Sequence, residues 1–486
     1  MTETITGLWM SPLEILVVLG AVALVLARWL PPGPRRPFAV AAGAVLVSCG
    51  VVLGVVGTRW QLVPVLAGAA LAFLCVLPPL LRDRTGREAR RARRWPAAVG
   101  SVACLGLIAV GPAAAWALPV PVFPEPSGPF AVGTGVTQWT DPDRSEPTAP
   151  GPGARRTVVV QLWYPARESP AGAQRARYLG RSQSEARTVS DALADYAGLP
   201  GFLLDGVPRA RTHAVQGAPV AGGGGRFPVV VFSPGLGGVR TQNTAWAEEL
   251  AGRGHVVVAL DHPYDSAAVV LADGRTVRTE VAATGDPDKD AERAAGWTAV
   301  RAADLSFVLT QLGRLDRGEI AGPGAGRLDT GRVAVAGHSL GGAAALQAAR
   351  QDHRFDAVIN LDGFPHDPAP GPFPQPVLAL TQAVGPQTDP DYLPRLNRVL
   401  DLSAATSYRL TVPGAAHLTF TDAPLYLPPV PSLVGSLGRT GGPRVTAAVC
   451  AAFLDATLRG GPADLAATLS AYGPLRIHYP GGQGGG

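Results

Sequence analysis

Four apolar stretches near the start of the chain, residues 12–27, 37–57, 61–81 and 96–119, constrain its fold more than any other feature. Each is close to the roughly 20 residues a helix needs to cross a bilayer core of about 30 Å. Charge inside such a stretch is costly, and Glu14, at the start of the first, is the sole exception. The arginines lie between the stretches. Arg28, Arg35 and Arg36 fall in the first connection and Arg82, Arg84, Arg87, Arg90, Arg91, Arg93 and Arg94 in the third, whereas the second holds only Arg59. By the positive-inside rule this puts the first and third connections in the cytoplasm and everything after the fourth helix outside. A cleaved signal peptide is disfavoured, because MTETITGLWM carries no basic residue and no small-residue cleavage site follows the first stretch. The expectation is a multi-pass plasma-membrane protein, with a transmembrane region of four helices over 1–117 and an extracytoplasmic remainder.

Charge and cysteine usage exclude several classes for that remainder. The first 117 residues hold 11 Arg against 4 acidic residues, a net +7 in a chain of total +5, so the other 369 carry a net −2. A nucleic-acid binder concentrates positive charge on its folded domain, and no nucleic-acid partner is expected here. Cys49, Cys75 and Cys104 lie in the apolar stretches, which leaves Cys450 alone in the exported part. No internal disulfide can form there, and zinc-ribbon and CxxC redox chemistry are excluded.

Residues 118–155 are rich in Pro, Gly and Ser and read as a linker. A domain is expected over 156–486, opening on a strand at 157–164. An insertion at about 165–226 contains a polar helix at 184–196 and is either a lid or pocket wall, or a surface excursion. From 227 onward apolar strands (228–232, 255–260, 332–336, 357–361, 376–380, 407–412) alternate with helices (242–253, 290–315, 340–350, 443–458). That alternation predicts an α/β fold, a mainly parallel sheet covered by helices on both faces. Its functional loops lie at the strand C-terminal ends.

The strand at 332–336 runs into GHSLGG and then an Ala-rich helix. Gly337, Ser339 and Gly341 form G-x-S-x-G in the strand–turn–helix setting of a nucleophile elbow, where a strained Ser presents its hydroxyl. A serine hydroxyl needs an imidazole to take its proton and a carboxylate to orient that imidazole, in the chain order Ser, acid, His. His213, His255, His262 and His338 precede Ser339. His353, His366 and His478 are expected at the surface. His417 remains, in the loop after the strand at 407–412. For the acid, Asp362 follows one buried strand in INLDG, while Asp389 or Asp391 follow the next; the INLDG setting favours Asp362. An oxyanion needs two N–H donors. Leu340, after the nucleophile, supplies one, and Leu236 in SPGLGG supplies the other.

The strings VVVFSPGLGG, GHSLGG, INLDGF and AAHLTFTD, in this order, resemble the platelet-activating factor acetylhydrolase family of α/β-hydrolases, plasma and secreted type. The resemblance covers about residues 118–460, and the spacings from Ser339 to Asp362 and from Asp362 to His417, 23 and 55 residues, match its triad. It implies Ser339 as nucleophile, Asp362 as acid, His417 as base and Leu236 with Leu340 as oxyanion donors. Pro234 stands where many members have His before the loop glycine. The four apolar stretches lie outside the resemblance.

GDPDKD (Asp286, Asp288, Asp290) imitates a calcium loop but has Ala291 and Trp297 where Gly and Glu belong. GPGAG at 322–326 follows no strand, and HExxH is absent. No metal or cofactor is expected. The whole reading is a membrane-tethered serine esterase that hydrolyses short or oxidised acyl esters of phospholipids, with a lipid or small ester substrate and the bilayer as partners. The alternatives are a carboxylesterase or polyester hydrolase on non-lipid esters, or an acyltransferase with the same triad.

Overall fold

A computed structural model describes residues 7, 9–84, 94–146, 148–149, 153–170, 172–223, 225–281, 287–385, 389–461 and 464–481. Arg87, Arg90, Arg91, Arg93 and Asp286 lie outside the described residues. The chain divides into two compact units, residues 1–121 with 202–207, and residues 122–201 with 208–486.

In the first unit the apolar stretches form α1 (Pro12–Ala27), α2 (Pro32–Val56), α3 (Leu62–Arg84) and α4 (Arg94–Ala117). Among the described residues two helices are long and apolar enough to cross a membrane, Gly33–Val56 and Trp95–Ala117, rather than the four expected. The apolar runs Pro12–Ala27 and Leu62–Pro78 are shorter; at 1.5 Å per residue, the first reaches only about 24 Å. Ser11 caps α1 in a capping box with Glu14. Glu14 also pairs with Arg59 at 3.4 Å, both side chains buried. The one charge inside an apolar stretch is thus paired with the one arginine of the second connection.

The second unit is built on β1 (Ala131–Ser145), β2 (Arg155–Ala166), β3 (Arg175–Arg177), β4 (Arg211–Gln216), β5 (Phe227–Ser233), β6 (Val256–Asp261), β7 (Ala268–Val270), β8 (Thr276–Arg278), β9 (Leu328–His338), β10 (Ala357–Leu361), β11 (Val377–Thr381), β12 (Ser407–Thr411) and β13 (Leu475–His478). Eleven of them form one sheet in the order β13-β12-β11-β10-β9-β5-β6-β2-β1-β4-β3. The six central strands from β12 to β6 run parallel. β13 and β2 flank them in antiparallel fashion, so the sheet is mixed but mostly parallel. The helices are α5 (Gln183–Tyr196), α6 (Thr244–Gly252), α7 (Pro287–Asp316), α8 (Leu340–Gln351), α9 (Tyr392–Leu400), α10 (Pro431–Val434), α11 (Gly438–Arg459) and α12 (Leu465–Ser470).

Side chains alternate across a strand, and both faces are buried. Val229, Val231, Val333 and Val335 pack with Leu305 and Leu309 of α7 and Ala345 of α8. Val230, Phe232, Ala334 and Ala336 pack with Trp246 and Leu250 of α6 and Phe453 and Leu454 of α11. This two-sided cover explains why the central strands read as continuous apolar runs.

Two sequence expectations are corrected here. Residues 131–145, read as linker, form β1, paired with β2 from Ala131 to Thr140, and Trp139 packs into the core. The partner strand supplies the hydrogen bonds that Gly- and Pro-rich composition argued against. His478, expected at the surface, is 4% exposed on β13, its Nδ1 2.6 Å from Asp401 Oδ1. His353 is exposed and His366 half-buried.

The insertion is tied into the fold. β4 pairs with β1, and Glu185 of α5 bonds the buried Arg240 at 2.7 Å. Arg240 also binds Asp261 at the end of β6, so one guanidinium joins the insertion to the loop after β5.

Candidate active site

β9 delivers Ser339 to the C-terminal edge of the sheet through a sharp turn into α8. Ser339 has φ 55° and ψ −124°, a conformation a non-glycine residue adopts only when its surroundings force it. A Cβ on Gly337 would fall on the Gly341 carbonyl, and one on Gly341 on the Ser233 carbonyl. Both glycines are therefore required by close backbone approach. The Ser339 N–H donates to Leu361 O at 2.9 Å, which fixes the elbow against the end of β10.

Asp362 follows directly on β10, at φ 51°. Its Oδ2 lies 2.7 Å from His417 Nδ1, and its side chain is 1% exposed against 42% for the imidazole. Asp362 Oδ1 accepts from Gln382 N at 3.1 Å and from the Tyr392 hydroxyl at 3.0 Å. Asp389 and Asp391, the alternative acids, are exposed. His417 opens a short 3-10 turn after β12, and its carbonyl accepts from His338 Nε2 at 3.0 Å. Because Nε2 donates, His338 Nδ1 is the acceptor for Gln242 Nε2 at 3.0 Å. Gln242 Oε1 in turn accepts from Gly235 N at 3.2 Å. One chain of bonds thus links the loop after β5, the elbow and the His417 loop. Burial, with His417 adding to it, pushes the His338 imidazole down to about 3, so it stays neutral.

Of the two candidate oxyanion donors, Leu340 is the first residue of α8, so its N–H has no acceptor within the helix. Leu236 lies in the loop after β5, where Pro234 has no N–H and the Gly235 and Gly238 N–H groups are already bonded. Leu236 borders a cavity of about 960 Å³, shared with Trp297, Phe364, His366 and Arg395. Arg395 lies over the Phe364 ring at 5.4 Å, and burial followed by this cation lowers His366 to about 4.

Three features had no sequence signal. Tyr392 comes from α9, a helix that alternation did not foresee. Gln242 and His338 become partners only in the folded chain. Ser233, His262 and Asp304 form a second Ser–His–Asp array, with Ser233 Oγ 2.9 Å from His262 Nε2 and His262 Nδ1 2.7 Å from Asp304 Oδ2. All three residues are 0% exposed, so no ester reaches them and the array is a scaffold. Burial alone would raise Asp304; Arg156 and His262 instead hold it well below the carboxylate range.

The model of the family "Platelet-activating factor acetylhydrolase, isoform II" matches residues 119–289 and 325–452. The chain belongs to this family. Among curated relatives, a probable 1-alkyl-2-acetylglycerophosphocholine esterase of Arthroderma benhamiae is 27% identical over 249 residues, 50% of this chain and 59% of that protein. The platelet-activating factor acetylhydrolase of Cavia porcellus is 30% identical over 157 residues, 29% of this chain and 35% of that protein. The chain thus spans about half the length of the curated relatives it matches. Among solved structures, a ferulic acid esterase from Streptomyces cinnamoneus is similar, with a TM-score of 0.57 and 33% identity over 73% of this chain and 98% of that one.

Proposed function

We propose that this acetylhydrolase-family member is a membrane-held serine esterase that cleaves short or oxidised acyl groups from phospholipids. The observation that carries the reading is the Asp362–His417 bond, together with the strained Ser339, whose N–H is bonded to Leu361 next to Asp362. With Nδ1–H held by Asp362, His417 Nε2 carries the lone pair that takes the Ser339 proton as Oγ attacks the ester carbonyl. The Leu236 and Leu340 N–H groups receive the oxyanion, and the positive end of α8 adds to its stabilisation. His417 then protonates the departing alcohol, and water, deprotonated by the same imidazole, releases the acid from the acyl-enzyme. The family membership and the esterase neighbour support the ester-hydrolase class.

Membrane attachment is assigned to residues 1–117, ahead of a catalytic domain whose sheet begins with β1 at Ala131 rather than at 156. Val47, Val51 and Val55 of α2 are 67%, 63% and 85% exposed, and Val102 of α4 is 70% exposed. Such apolar rows are covered by lipid rather than water. This reading requires α1 and α3, whose described apolar runs are the shorter ones, to insert along with α2 and α4, and it then puts the Arg-rich connections in the cytoplasm and the catalytic domain across the membrane from them.

A second reading, an esterase on small aromatic esters, is favoured by the ferulic acid esterase likeness and by Trp297 and Phe364 in the cavity. The full chain in nanodiscs, assayed on phosphatidylcholines of rising sn-2 acyl length and on methyl ferulate, separates the two. Preference for short or oxidised acyl chains is expected. Hydrolysis of long acyl chains alone would overturn the lipid reading, and hydrolysis of methyl ferulate alone would establish the second. A candidate acceptor alcohol in the same assay reports transfer by the product it forms.

A further inference from the structure

Arg301 of α7 lies in the 290–324 stretch that the family match leaves out, and the chemistry above makes no use of it. Yet its guanidinium, in a residue 1% exposed, is fully engaged beneath the loop after β5. Nε and Nη2 each donate to Asp265 at 2.6 Å. Nη2 also donates to Gly235 O at 3.0 Å, while Nη1 donates to Pro234 O and, at 3.3 Å, to Ser233 Oγ. The peptide bonds among the described residues, this loop included, are trans, and in a trans peptide the C=O and the following N–H point in opposite directions. Holding the Pro234 carbonyl against Arg301 turns the Gly235 N–H away, and it is found on Gln242 Oε1. Holding the Gly235 carbonyl turns the Leu236 N–H away in the same manner.

A segment containing Gly235, Gly237 and Gly238 has wide intrinsic backbone freedom; the Gly238 N–H on Gly235 O and the Ala267 N–H on Gly237 O, each at 2.9 Å, restrain it but leave the Pro234 carbonyl to Arg301, and a donor that rotates is a poor oxyanion hole. A planar fork bonding two successive carbonyls removes that freedom in a way a point charge cannot. We propose that Arg301 is a positioning residue that sets the Leu236 N–H as oxyanion donor by clamping the Pro234 and Gly235 carbonyls. The inference rests on the assignment of Leu236 made under the proposed function. α7 supports the clamp from a second point: Asp304, three residues on and so on the same helical face, anchors His262 and through it Ser233. Asp265, its carboxyl held low by Arg301 although burial alone would raise it, fixes the guanidinium from the opposite side.

The test uses the full chain in detergent as Arg301→Lys, Arg301→Gln and the charge-neutral pair Arg301→Leu/Asp265→Leu, with melting temperature measured for each. kcat and KM are read on p-nitrophenyl butyrate, and Ki on a trifluoromethyl ketone, whose hemiketal oxygen occupies the oxyanion position. Deleting an oxyanion donor costs about 100- to 1000-fold, and a donor freed but not deleted is expected to cost about 10- to 100-fold in kcat/KM. KM should move less than about threefold while the ketone Ki rises by the same factor that kcat/KM falls. Arg301→Lys, which keeps the charge on Asp265 but not the fork, should fall between wild type and Arg301→Gln. A folded variant with reduced melting temperature but unchanged kcat and ketone Ki would reduce Arg301 to scaffold and overturn the inference. If Arg301→Gln does not fold, the Lys variant and the double variant decide by the same two readouts. Ser339→Ala is the control: turnover in that variant would sink the proposed nucleophile, a failure distinct from that of the clamp.

Discussion

Replacing Tyr392 by Phe tests the acid side of the site with little disturbance elsewhere. The ring stacks on Phe364 at a centroid distance of 6.0 Å, and Phe keeps that packing. Only the hydroxyl is lost, and with it the 3.0 Å bond to Asp362 Oδ1, which leaves that oxygen the Gln382 N–H alone. A hydrogen bond to a buried charged group contributes about 1.5–3 kcal/mol, so urea unfolding should show a loss of that size. If half of it is lost from the transition state as well, kcat/KM falls about four- to thirteenfold, with KM unchanged. In an Asp362→Asn background the same bond is neutral and worth only about 0.5–1.5 kcal/mol, so the double-mutant cycle should return a coupling of about 1 kcal/mol or more. A Tyr392→Phe effect below about 0.5 kcal/mol, with no coupling, would refute the view that the hydroxyl supports the Asp362 carboxylate.

Further outcomes follow from buried titratable groups. His255 and His338 are each held down to about 3 by burial, against about 6.5 in the unfolded chain. The unfolded state therefore binds protons that the folded state refuses as pH falls from 6.5 toward 3. Stability is full above 6.5 and declines below it, each His approaching about 1.4 kcal/mol per pH unit. Urea midpoints at pH 7, 6 and 5 should show this slope, and His255→Leu should lessen it; a flat profile would contradict the burial argument. Cys450 is fully buried and its thiol is pushed up to about 12. It should resist maleimide in the native protein and react only on unfolding; rapid native labelling traced to Cys450 would refute this.

How much of this was legible in the sequence depends on how far apart the interacting residues lie. The parallel core was readable because each strand carries its own apolar run, and GHSLGG because the elbow is a local device enforced by Gly337 and Gly341. β1 was missed because its stability comes from pairing with β2 and from burying Trp139, neither of which local composition records. The Arg301 bonds to Ser233 and Gly235 span 68 and 66 residues, and the His262–Asp304 bond spans 42. No periodicity marks such partners. The acid could be ranked but not fixed, since only the folded chain places Asp362 on the imidazole and Asp389 and Asp391 in solvent. The apolar stretches were read correctly as helices, but among the described residues only two of the four are long and apolar enough to cross a membrane, because Pro12–Ala27 is 16 residues long and the described apolar run of α3 ends at Pro78.

The central assignment is the nucleophile, and active-site labelling addresses it most directly. Full-length protein is treated with a fluorophosphonate, digested and sequenced by tandem mass spectrometry, alongside Ser339→Ala. The expected result is one phosphonyl adduct on Ser339 in the wild type, none in the variant, and loss of ester hydrolysis in step with labelling. An adduct on another residue, or hydrolysis that survives in Ser339→Ala, would contradict it.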